Sequence, residues 1–531
     1  MKTRELRLAH VDDLSDGEMK IFSQDGVEVL LVRIDGRYHA LGPHCTHYGA
    51  PLDQGVLHGE RIVCPWHAAQ FSAVTGGLVE PPGLNVLPRY EVEIRGGEVI
   101  VKVPERIQAG VIPSLGRPDY QQDDRTFAIL GAGAAGYSAA QAMREAGYQG
   151  RIVLVTREEH APYDRPTLSK SYLAGDMEPE GLPLRQDSFY ADYGIELMLG
   201  REAVGVSPAH KEILFAAGQP LAFDKLLIAT GGLPRTLNLP GAALDHLFVL
   251  RSRVDSDNII RAAQGTRVAV VGASFIAMEA AAALTKRGLQ VTVIAPEAVP
   301  FERVFGRDIG GLLQRQHEER GVTFRLSSTV ARFEGANRVE AVGLEDGSRV
   351  EADLVILGIG VRPATDFLAD SFNLQPDGSL EVDEHFRVRG EIYAAGDIAT
   401  CPDPRTGEMI RIEHWRTAEQ QGRHAGFHMA GIEVPYEAVP FFWTSQAGLS
   451  LRYLGHAPGW EEVITHGDLD SRRFLAWYVR EGRIAAVAGS KRDRDIAALQ
   501  ELMRLDRMPT PDEVRAGEVD ILARLEEPIY A

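Results

Sequence analysis

Cysteine and positive charge are both scarce in this sequence. Three cysteines in 531 residues are too few for the disulfide framework of a small secreted protein. Lysine and arginine number 56 against 75 aspartate and glutamate residues, so the formal net charge at pH 7 is −19. An acidic chain lacks the basic surface that binds nucleic acids and anionic membranes. These deficits predict a reducing, cytoplasmic environment and no nucleic-acid partner.

Long uninterrupted hydrophobic stretches are also missing. The longest apolar run covers residues 268–284, but it contains Glu279 and opens with a glycine-bearing turn. A strand, a turn and a buried helix explain this run better than a membrane span of about 20 apolar residues. The N-terminal segment MKTRELRLAHVDDL is charged and lacks the apolar core of a signal peptide. We therefore predict no membrane span.

The pattern of the sequence changes along the chain and predicts several domains. Residues 1–104 alternate apolar and polar side chains around Asp35-Gly36 and Gly96-Gly97, which predicts an all-β domain with hairpins at these turns. Residues 105–125 have no period and contain two prolines, as linkers do. From Thr126 short apolar strands alternate with alanine-rich helices, which indicates a parallel α/β fold. Residues 436–531 predict antiparallel strands followed by a helical tail.

Two of the cysteines belong to a set of four metal-ligand residues. Cys45 and His47 form a C-x-H pair, and after sixteen intervening residues Cys64 and His67 form a C-x-x-H pair. A Rieske [2Fe-2S] centre uses two cysteines on one iron and two histidines on the other. A zinc site of the same four residues is the competing metal hypothesis, and a metal-free packing role is the third. The C-x-H spacing and the Gly/Pro-rich loops around both pairs favour the Rieske centre.

The first α/β unit carries a dinucleotide-binding motif. In TFAILGAGAAGYSAA, Gly131, Gly133 and Gly136 occupy the positions of G-x-G-x-x-G after a strand and before a helix. These glycines allow a tight turn, close approach to a pyrophosphate and close helix packing, respectively. The next strand ends at Glu158 and Glu159, where a ribose-binding acid is expected. This unit is predicted to bind FAD.

A second copy of the motif departs from the consensus. RVAVVGASFIAMEA places Gly272, Ser274 and Ala277 in the same frame, so a side chain stands where the backbone must approach phosphate. Ala295 occupies the position where an acid usually selects NADH. We predict an NAD(P)H site here and leave the choice of NADH or NADPH open. A dinucleotide fold that no longer binds nucleotide is the alternative.

Two such units, with GDIAT after the second, resemble the two-dinucleotide-fold flavoprotein reductases. The segments APYDRPTLSKSYL, FIAMEA, HWRTAEQQG and FFWTSQAG are similar to ferredoxin reductases and to apoptosis-inducing factor. With the N-terminal metal-ligand set, the whole chain resembles the apoptosis-inducing-factor-like Rieske flavoproteins. The C-x₄-C pair of disulfide reductases is missing, and Cys401 stands alone.

The resemblance implies a fold class and domain limits. The chain is expected to be multidomain, with an all-β Rieske domain (1–104) and a linker (105–125) before an α/β two-dinucleotide-binding-fold flavoprotein reductase. The FAD-binding domain would be discontinuous (126–245 and 369–435), with the NAD(P)H-binding domain (246–368) inserted. A C-terminal α+β domain (436–531) would complete the reductase. The implied cofactors are FAD, NAD(P)H and the [2Fe-2S] cluster.

The resemblance also implies roles for residues outside the glycine-rich turns. Lys170 would lie beside flavin N5 and pair with Glu279, and this candidate catalytic pair would favour the reduced flavin. Asp397, after Gly396, would bind the ribityl chain, and Glu158 would bind the adenosine ribose. The other implied flavin contacts are Arg165, Pro166, Thr230, Gly231, His414, Trp415 and Trp443.

These features predict an NAD(P)H-dependent FAD oxidoreductase that passes electrons to the Rieske cluster and then to an external acceptor. We expect that acceptor to be a protein with a basic docking patch, because this chain is acidic. A homodimer is left open. The alternative is a redox-sensing regulatory flavoprotein with little steady-state turnover. A terminal oxygenase would need a mononuclear iron site, for which His424, His428 and Glu419 are candidates, but the resemblance already accounts for their helix.

Overall fold

The computed structural model describes residues 2–263, 265, 267–517 and 519–527. An all-β region comes first, an α/β region with two parallel sheets follows, and an antiparallel sheet with helices ends the chain. This order agrees with the predicted fold class. None of the described helices is both long and apolar enough to cross a membrane.

The N-terminal region consists of two antiparallel sheets. The larger has the order β1-β10-β9-β4-β3-β2, and the smaller has the order β5-β6-β7-β8. Both predicted hairpins are present, as β3–β4 and as β9–β10. The strands are β1 Thr3–His10, β2 Met19–Gln24, β3 Val27–Ile34, β4 Arg37–Leu41, β5 Val56–His58, β6 Arg61–Val63, β7 Gln70–Ser72, β8 Leu78–Glu80, β9 Arg89–Arg95 and β10 Glu98–Pro104. The metal-ligand residues lie on the loops before β5 and between β6 and β7.

The central region alternates strands and helices. Its elements are β11 Thr126–Leu130, α1 Ala134–Glu145, β12 Arg151–Val155, α2 Ser171–Ala174, α3 Asp187–Asp192, β13 Ile195–Met198, β14 Ala203–Ser207, β15 Glu212–Phe215, β16 Leu221–Ala222, β17 Lys225–Ile228, β18 Gly232–Pro234, β19 Leu247–Val249, α4 Arg253–Ala262, β20 Arg267–Val271, α5 Phe275–Lys286, β21 Gln290–Ile294, α6 Glu302–Phe305, α7 Arg307–Glu318, β22 Thr323–Arg325, β23 Val330–Glu334, β24 Ala341–Leu344, β25 Arg349–Glu351, β26 Leu354–Leu357, β27 Val361–Pro363, β28 Leu380–Glu381, β29 Arg387–Arg389, β30 Ile392–Ala394, β31 Ala399–Pro402, β32 Met409–Ile410 and α8 Trp415–Met429. Short 3₁₀ helices occur at Leu52–Gln54, Arg165–Ser169, Pro179–Gly181 and Asp366–Leu368.

Each glycine-rich turn ends the central strand of a parallel sheet. The first sheet has the order β13-β12-β11-β17-β30-β29, with β29 antiparallel, and the second has the order β19-β26-β20-β21-β22. In both β11 (TFAIL) and β20 (RVAVV) the last four residues are buried, as in strands covered by helices on both faces. Ligands of such sheets bind beyond the carboxyl ends of the strands.

The C-terminal region is an antiparallel sheet of order β33-β34-β37-β36-β35 with three helices after it. Its elements are β33 Phe441–Gln446, β34 Leu449–Gly455, β35 Glu462–Asp468, β36 Arg473–Arg480, β37 Arg483–Ser490, α9 Asp493–Arg504, α10 Pro511–Ala516 and α11 Ile521–Glu526. Strand β33 matters most for function, because it packs against α5 and α8 and brings Trp443 to the cofactor sites.

A buried histidine on α7 contacts the C-terminal sheet and predicts a pH dependence of stability. His317 is fully buried, lies 3.0 Å from Gln446 through Nε2, and has a pKa that burial lowers to about 4. Unfolded histidine takes up a proton near pH 6.5, so the free energy of unfolding falls as the pH drops from there towards 4. Between pH 7 and pH 5 we expect protonation of this residue to lower the free energy of unfolding by about 2 kcal/mol. Urea unfolding at both pH values should show that His317→Gln avoids this part of the loss, and equal losses in both proteins would contradict the assignment.

Candidate functional site

A cavity of about 550 Å³ lies at the carboxyl ends of the first parallel sheet and reaches β33. Most of the residues that the sequence assigned to cofactor binding border it. They are Gly131, Gly133, Glu158, Arg165, Pro166, Lys170, Thr230, Gly231, Ser274, Glu279, Gly396, Asp397, His414, Trp415 and Trp443. The structure thus brings together residues from opposite ends of a stretch of more than 300 positions.

Two glycines assigned to cofactor binding do not border this cavity. A Cβ on Gly136 would lie 1.8 Å from the carbonyl oxygen of Gly131, and one on Gly272 would lie 2.3 Å from that of Gly358. Both positions must therefore be glycine because backbone packs against them. The packing of Gly136 agrees with the role that the motif gives to its third glycine, and the assignment of both glycines to cofactor binding stays a prediction.

The first glycine-rich turn fits a dinucleotide phosphate. Gly131 has a φ of 119°, and a Cβ there would lie 2.1 Å from the carbonyl oxygen of Ala229. A Cβ on Gly133 would meet no atom within 4 Å, so its backbone faces open space at the start of α1. No side chain caps that helix terminus. Free N–H groups at a helix N-terminus bind phosphate, so these residues would hold the FAD pyrophosphate.

Lys170 and Glu279 form a partly buried ion pair on the cavity wall. Lys170 Nζ lies 2.8 Å from Glu279 Oε2, and the side chains are 24% and 4% exposed, respectively. Two hydroxyl groups also donate to the carboxylate, Ser169 to Oε2 at 2.6 Å and Thr444 to Oε1 at 2.8 Å. Three donors thus converge on this buried carboxylate, which holds the ammonium group in place.

Glu158 and Asp397 are each held by an arginine. Glu158 accepts from Arg165 Nη2 at 2.8 Å and from the Tyr163 hydroxyl at 2.6 Å. Burial alone would raise the Glu158 pKa, but Arg165 and Tyr163 outweigh it and lower that pKa. Asp397 Oδ2 lies 2.8 Å from Arg251 Nη2. No local motif marks Arg251, so the sequence did not predict this contact.

His414 is a neutral aromatic surface of the cavity. It stacks on Phe442 with ring centroids 4.4 Å apart, and Phe275 meets its edge. Burial lowers the His414 pKa to about 4, with Asp397 opposing the shift. Phe275 and Ile276, from the second glycine-rich motif, also border the cavity. The two dinucleotide units therefore face the same space.

The four predicted metal ligands meet at the edge of this cavity. His47 Nδ1 and His67 Nδ1 are 3.1 Å apart, and Cys45 and Cys64 are buried beside them. Burial lowers the His47 pKa to about 3, so this imidazole is neutral, as a metal ligand must be. Two thiols and two imidazoles are the donor set of a Rieske centre. These residues therefore fit a [2Fe-2S] cluster.

The spread of these donors argues against one zinc ion. Among the described residues, the only group of three candidate donor atoms mutually within 4.8 Å belongs to three other histidines, His385, His424 and His428. A single tetrahedral ion with bonds of about 2.0 to 2.3 Å would draw its four donors closer than that. In a [2Fe-2S] centre the cysteine pair would instead hold one iron and the histidine pair the other, so the four donors would not have to surround one ion.

Trp443 stands between the metal ligands and the cavity. Its ring centroid is 4.3 Å from that of His67 and 5.7 Å from that of His47, and its side chain borders the cavity. One aromatic side chain therefore touches both candidate cofactor sites.

Buried polar contacts dock the N-terminal region on the rest of the chain. Arg416 is fully buried and donates to the carbonyl oxygens of Ala68 and Pro81, each at 2.9 Å. Gln70 Nε2 donates to Glu501 at 3.2 Å, and both residues are buried. Because Ala68 follows the ligand His67, this docking sets the position of the histidine pair. Arg416 lies in the segment HWRTAEQQG, but nothing in the sequence predicted this role for it.

Three family models cover most of the chain. The pyridine nucleotide-disulphide oxidoreductase model matches residues 125–422, the Rieske [2Fe-2S] domain model matches 4–91, and the reductase C-terminal model matches 441–524. The chain belongs to the pyridine nucleotide-disulphide oxidoreductase family. This oxidoreductase binds FAD and NAD(P)H, carries a Rieske domain, and passes electrons from NAD(P)H through FAD to the [2Fe-2S] cluster.

Similar proteins share either the whole of this oxidoreductase or its reductase part. Apoptosis-inducing factor 3 of Homo sapiens is 37% identical, over 97% of this chain and 86% of that protein. The 5,5'-dehydrodivanillate O-demethylase ferredoxin reductase subunit of Sphingobium sp. is 35% identical, over 71% of this chain and 94% of that protein. A crystal structure of the covalent putidaredoxin reductase–putidaredoxin complex superposes with a TM-score of 0.71 at 31% identity, covering 76% of this chain and 98% of that one.

Proposed function

We propose that the chain is a self-contained electron relay, in which the docked Rieske domain receives electrons from the flavin cavity of the same chain. The observation that carries this proposal is the position of Trp443, in contact with His67 on one side and bordering the cavity on the other. When bound, FAD accepts a hydride and releases single electrons, which a [2Fe-2S] centre takes one at a time. The protein's own contribution is position, charge and exclusion of water.

We assign the roles of the cavity residues from their contacts. Lys170, held by Glu279, places a fixed positive charge on the cavity wall, which favours negative charge developing beside it. The backbone at Gly131 and Gly133 would hold the pyrophosphate, and Asp397 would accept hydrogen bonds from the ribityl chain. Trp443 keeps water out of the space between the cavity and the histidine pair.

The external acceptor is proposed to be a protein. The names of the relatives support this, since they include ferredoxin reductases and a putidaredoxin reductase in complex with putidaredoxin. Tyr48, which is 44% exposed, stacks on His47 with centroids 3.8 Å apart, so we place the docking surface around Tyr48. A homodimer stays a prediction, because docking within one chain does not require a second copy. The reductase relatives favour the relay over the regulatory alternative.

Replacement of Trp443 tests the relay. In Trp443→Ala the space between the cavity and His67 opens to water, and we expect cluster reduction to slow at least tenfold. Reduction of the flavin by NADH should stay within threefold of the wild-type rate. Anaerobic stopped-flow absorbance with freeze-quench EPR measures both rates. Trp443→Phe is the matched control, since it keeps an aromatic ring, and equal cluster reduction in the Ala variant and the wild type would contradict the proposal.

A further inference from the structure

Three histidines outside both cofactor sites converge at the C-terminal end of α8. His424 and His428 stand one helical turn apart on α8, and His385 comes from the loop between β28 and β29. One ring nitrogen from each lies within 4.8 Å of the other two. None of the three borders the cavity between the two dinucleotide units.

Two of these imidazoles have buried nitrogens that lack hydrogen-bond partners within the described part of the chain. His424 is only 5% exposed, and its Nε2 has no partner. His385 Nδ1 is likewise buried without a partner. An unsatisfied buried polar atom costs about 1–3 kcal/mol, so two beside each other point to a ligand that pairs with both.

The third imidazole is held by a backbone carbonyl group, as histidines that bind metals commonly are. His428 Nε2 lies 3.2 Å from the carbonyl oxygen of Val434. A carbonyl accepts only from N–H, so this contact places the proton on Nε2 and leaves the Nδ1 lone pair free. Such backbone contacts fix the tautomer and raise the basicity of histidines that bind metals.

The loop that carries His385 is held in a costly conformation. Phe386 has a φ of 61°, in the left-handed region that a bulky residue rarely adopts. Its ring is buried against His424, with centroids 5.4 Å apart, and the Asp383 carboxylate accepts from the backbone N–H of His385 at 2.9 Å. The loop therefore keeps His385 next to α8 at an energetic cost, as functional sites often do.

We propose that His385, His424 and His428 form a zinc-binding site that clamps the 382–386 loop to the end of α8. Imidazole nitrogen suits zinc, and three histidines leave a fourth position for water. Glu419, which the oxygenase hypothesis paired with His424 and His428, is not in this group. The site is independent of the proposed electron relay.

Metal analysis of the full chain, purified with FAD and cluster, tests the site. Protein is incubated with zinc chloride and desalted, and zinc and iron are counted by mass spectrometry. We expect about one zinc per chain without loss of iron, and thermal unfolding should shift upward with zinc. In His385→Ala, a change at a half-exposed position, zinc should bind at least tenfold more weakly and the thermal shift should vanish.

Two further variants distinguish this site from zinc binding at other histidines of the chain. His424→Asn should lose zinc in the same way, whereas His210→Ala, at an exposed histidine elsewhere, should bind as the wild type does. The proposal is overturned if wild-type protein retains no zinc, or if zinc enters only as iron is lost, since it then occupies the Cys45 and His47 site. Equal zinc content in wild type and His385→Ala would also overturn it.

Discussion

Lys170→Met is expected to slow reduction of the flavin by NADH by about 100-fold, the usual effect of removing one fixed electrostatic contact from a reacting site. The same change leaves the Glu279 carboxylate buried without its cation, although Ser169 and Thr444 still donate to it. We expect the free energy of unfolding to fall by about 3 kcal/mol. Anaerobic stopped-flow absorbance and urea unfolding measure the two effects.

The partner and a neighbouring lysine supply the controls. Glu279→Gln should also slow reduction of the flavin by NADH. It should destabilise the protein less than Lys170→Met does, because the freed Lys170 is 24% exposed and can reach solvent. Lys286→Met removes an exposed ion pair with Asp176, and such pairs contribute little to the free energy of unfolding. This variant should therefore change neither the rate of flavin reduction nor the stability. If the flavin of the Lys170→Met variant were reduced at the wild-type rate, the role given to the Lys170 charge would be wrong.

Arg416→Met is expected to release the Rieske domain from the reductase. Its guanidinium satisfies the carbonyl oxygens of Ala68, Pro81 and Val439, and the side chain is fully buried. Without it, these buried oxygens lose their donors at a cost of about 1–3 kcal/mol each. We expect cluster reduction to slow at least tenfold, flavin reduction to stay within threefold, and limited proteolysis to cut between the two parts.

An arginine on the surface provides the control for that release. Arg315 is 54% exposed and lies 3.8 Å from the mostly exposed Asp470. Arg315→Met should leave both rates and the proteolysis pattern unchanged. Undiminished cluster reduction in Arg416→Met would show that the docking contacts do not set the transfer rate.

The fold class was predictable because its signals are local. A strand, a glycine-rich turn and a helix lie within about 20 residues at 126–145 and again at 267–286. The N-terminal hairpins are predicted by the residues at their turns. The metal ligands follow from spacing and residue type. The contact between Lys170 and Glu279 joins residues 109 positions apart, and only the resemblance to known reductases predicted it. A lysine before a short helix does not by itself indicate a partner.

Other features depend on long-range packing that no local pattern records. Arg416 reaches Ala68 across 348 positions, and its short motif gives no hint of that partner. His385 joins the two histidines of α8 only because the 382–386 loop folds back onto that helix. The resemblance to ferredoxin reductases implied that Trp443 contacts the flavin, but its contact with His67 comes from the docking of two domains whose sequence patterns are separate.

The central claim is that the cluster and the flavin face each other within one chain. The most direct test is the rate of cluster reduction after anaerobic mixing with NADH, measured over a tenfold range of protein concentration. We predict that this rate follows flavin reduction and does not depend on protein concentration, as a step within one chain requires. A rate that rises in proportion to protein concentration would show that electrons pass between chains and would contradict the account.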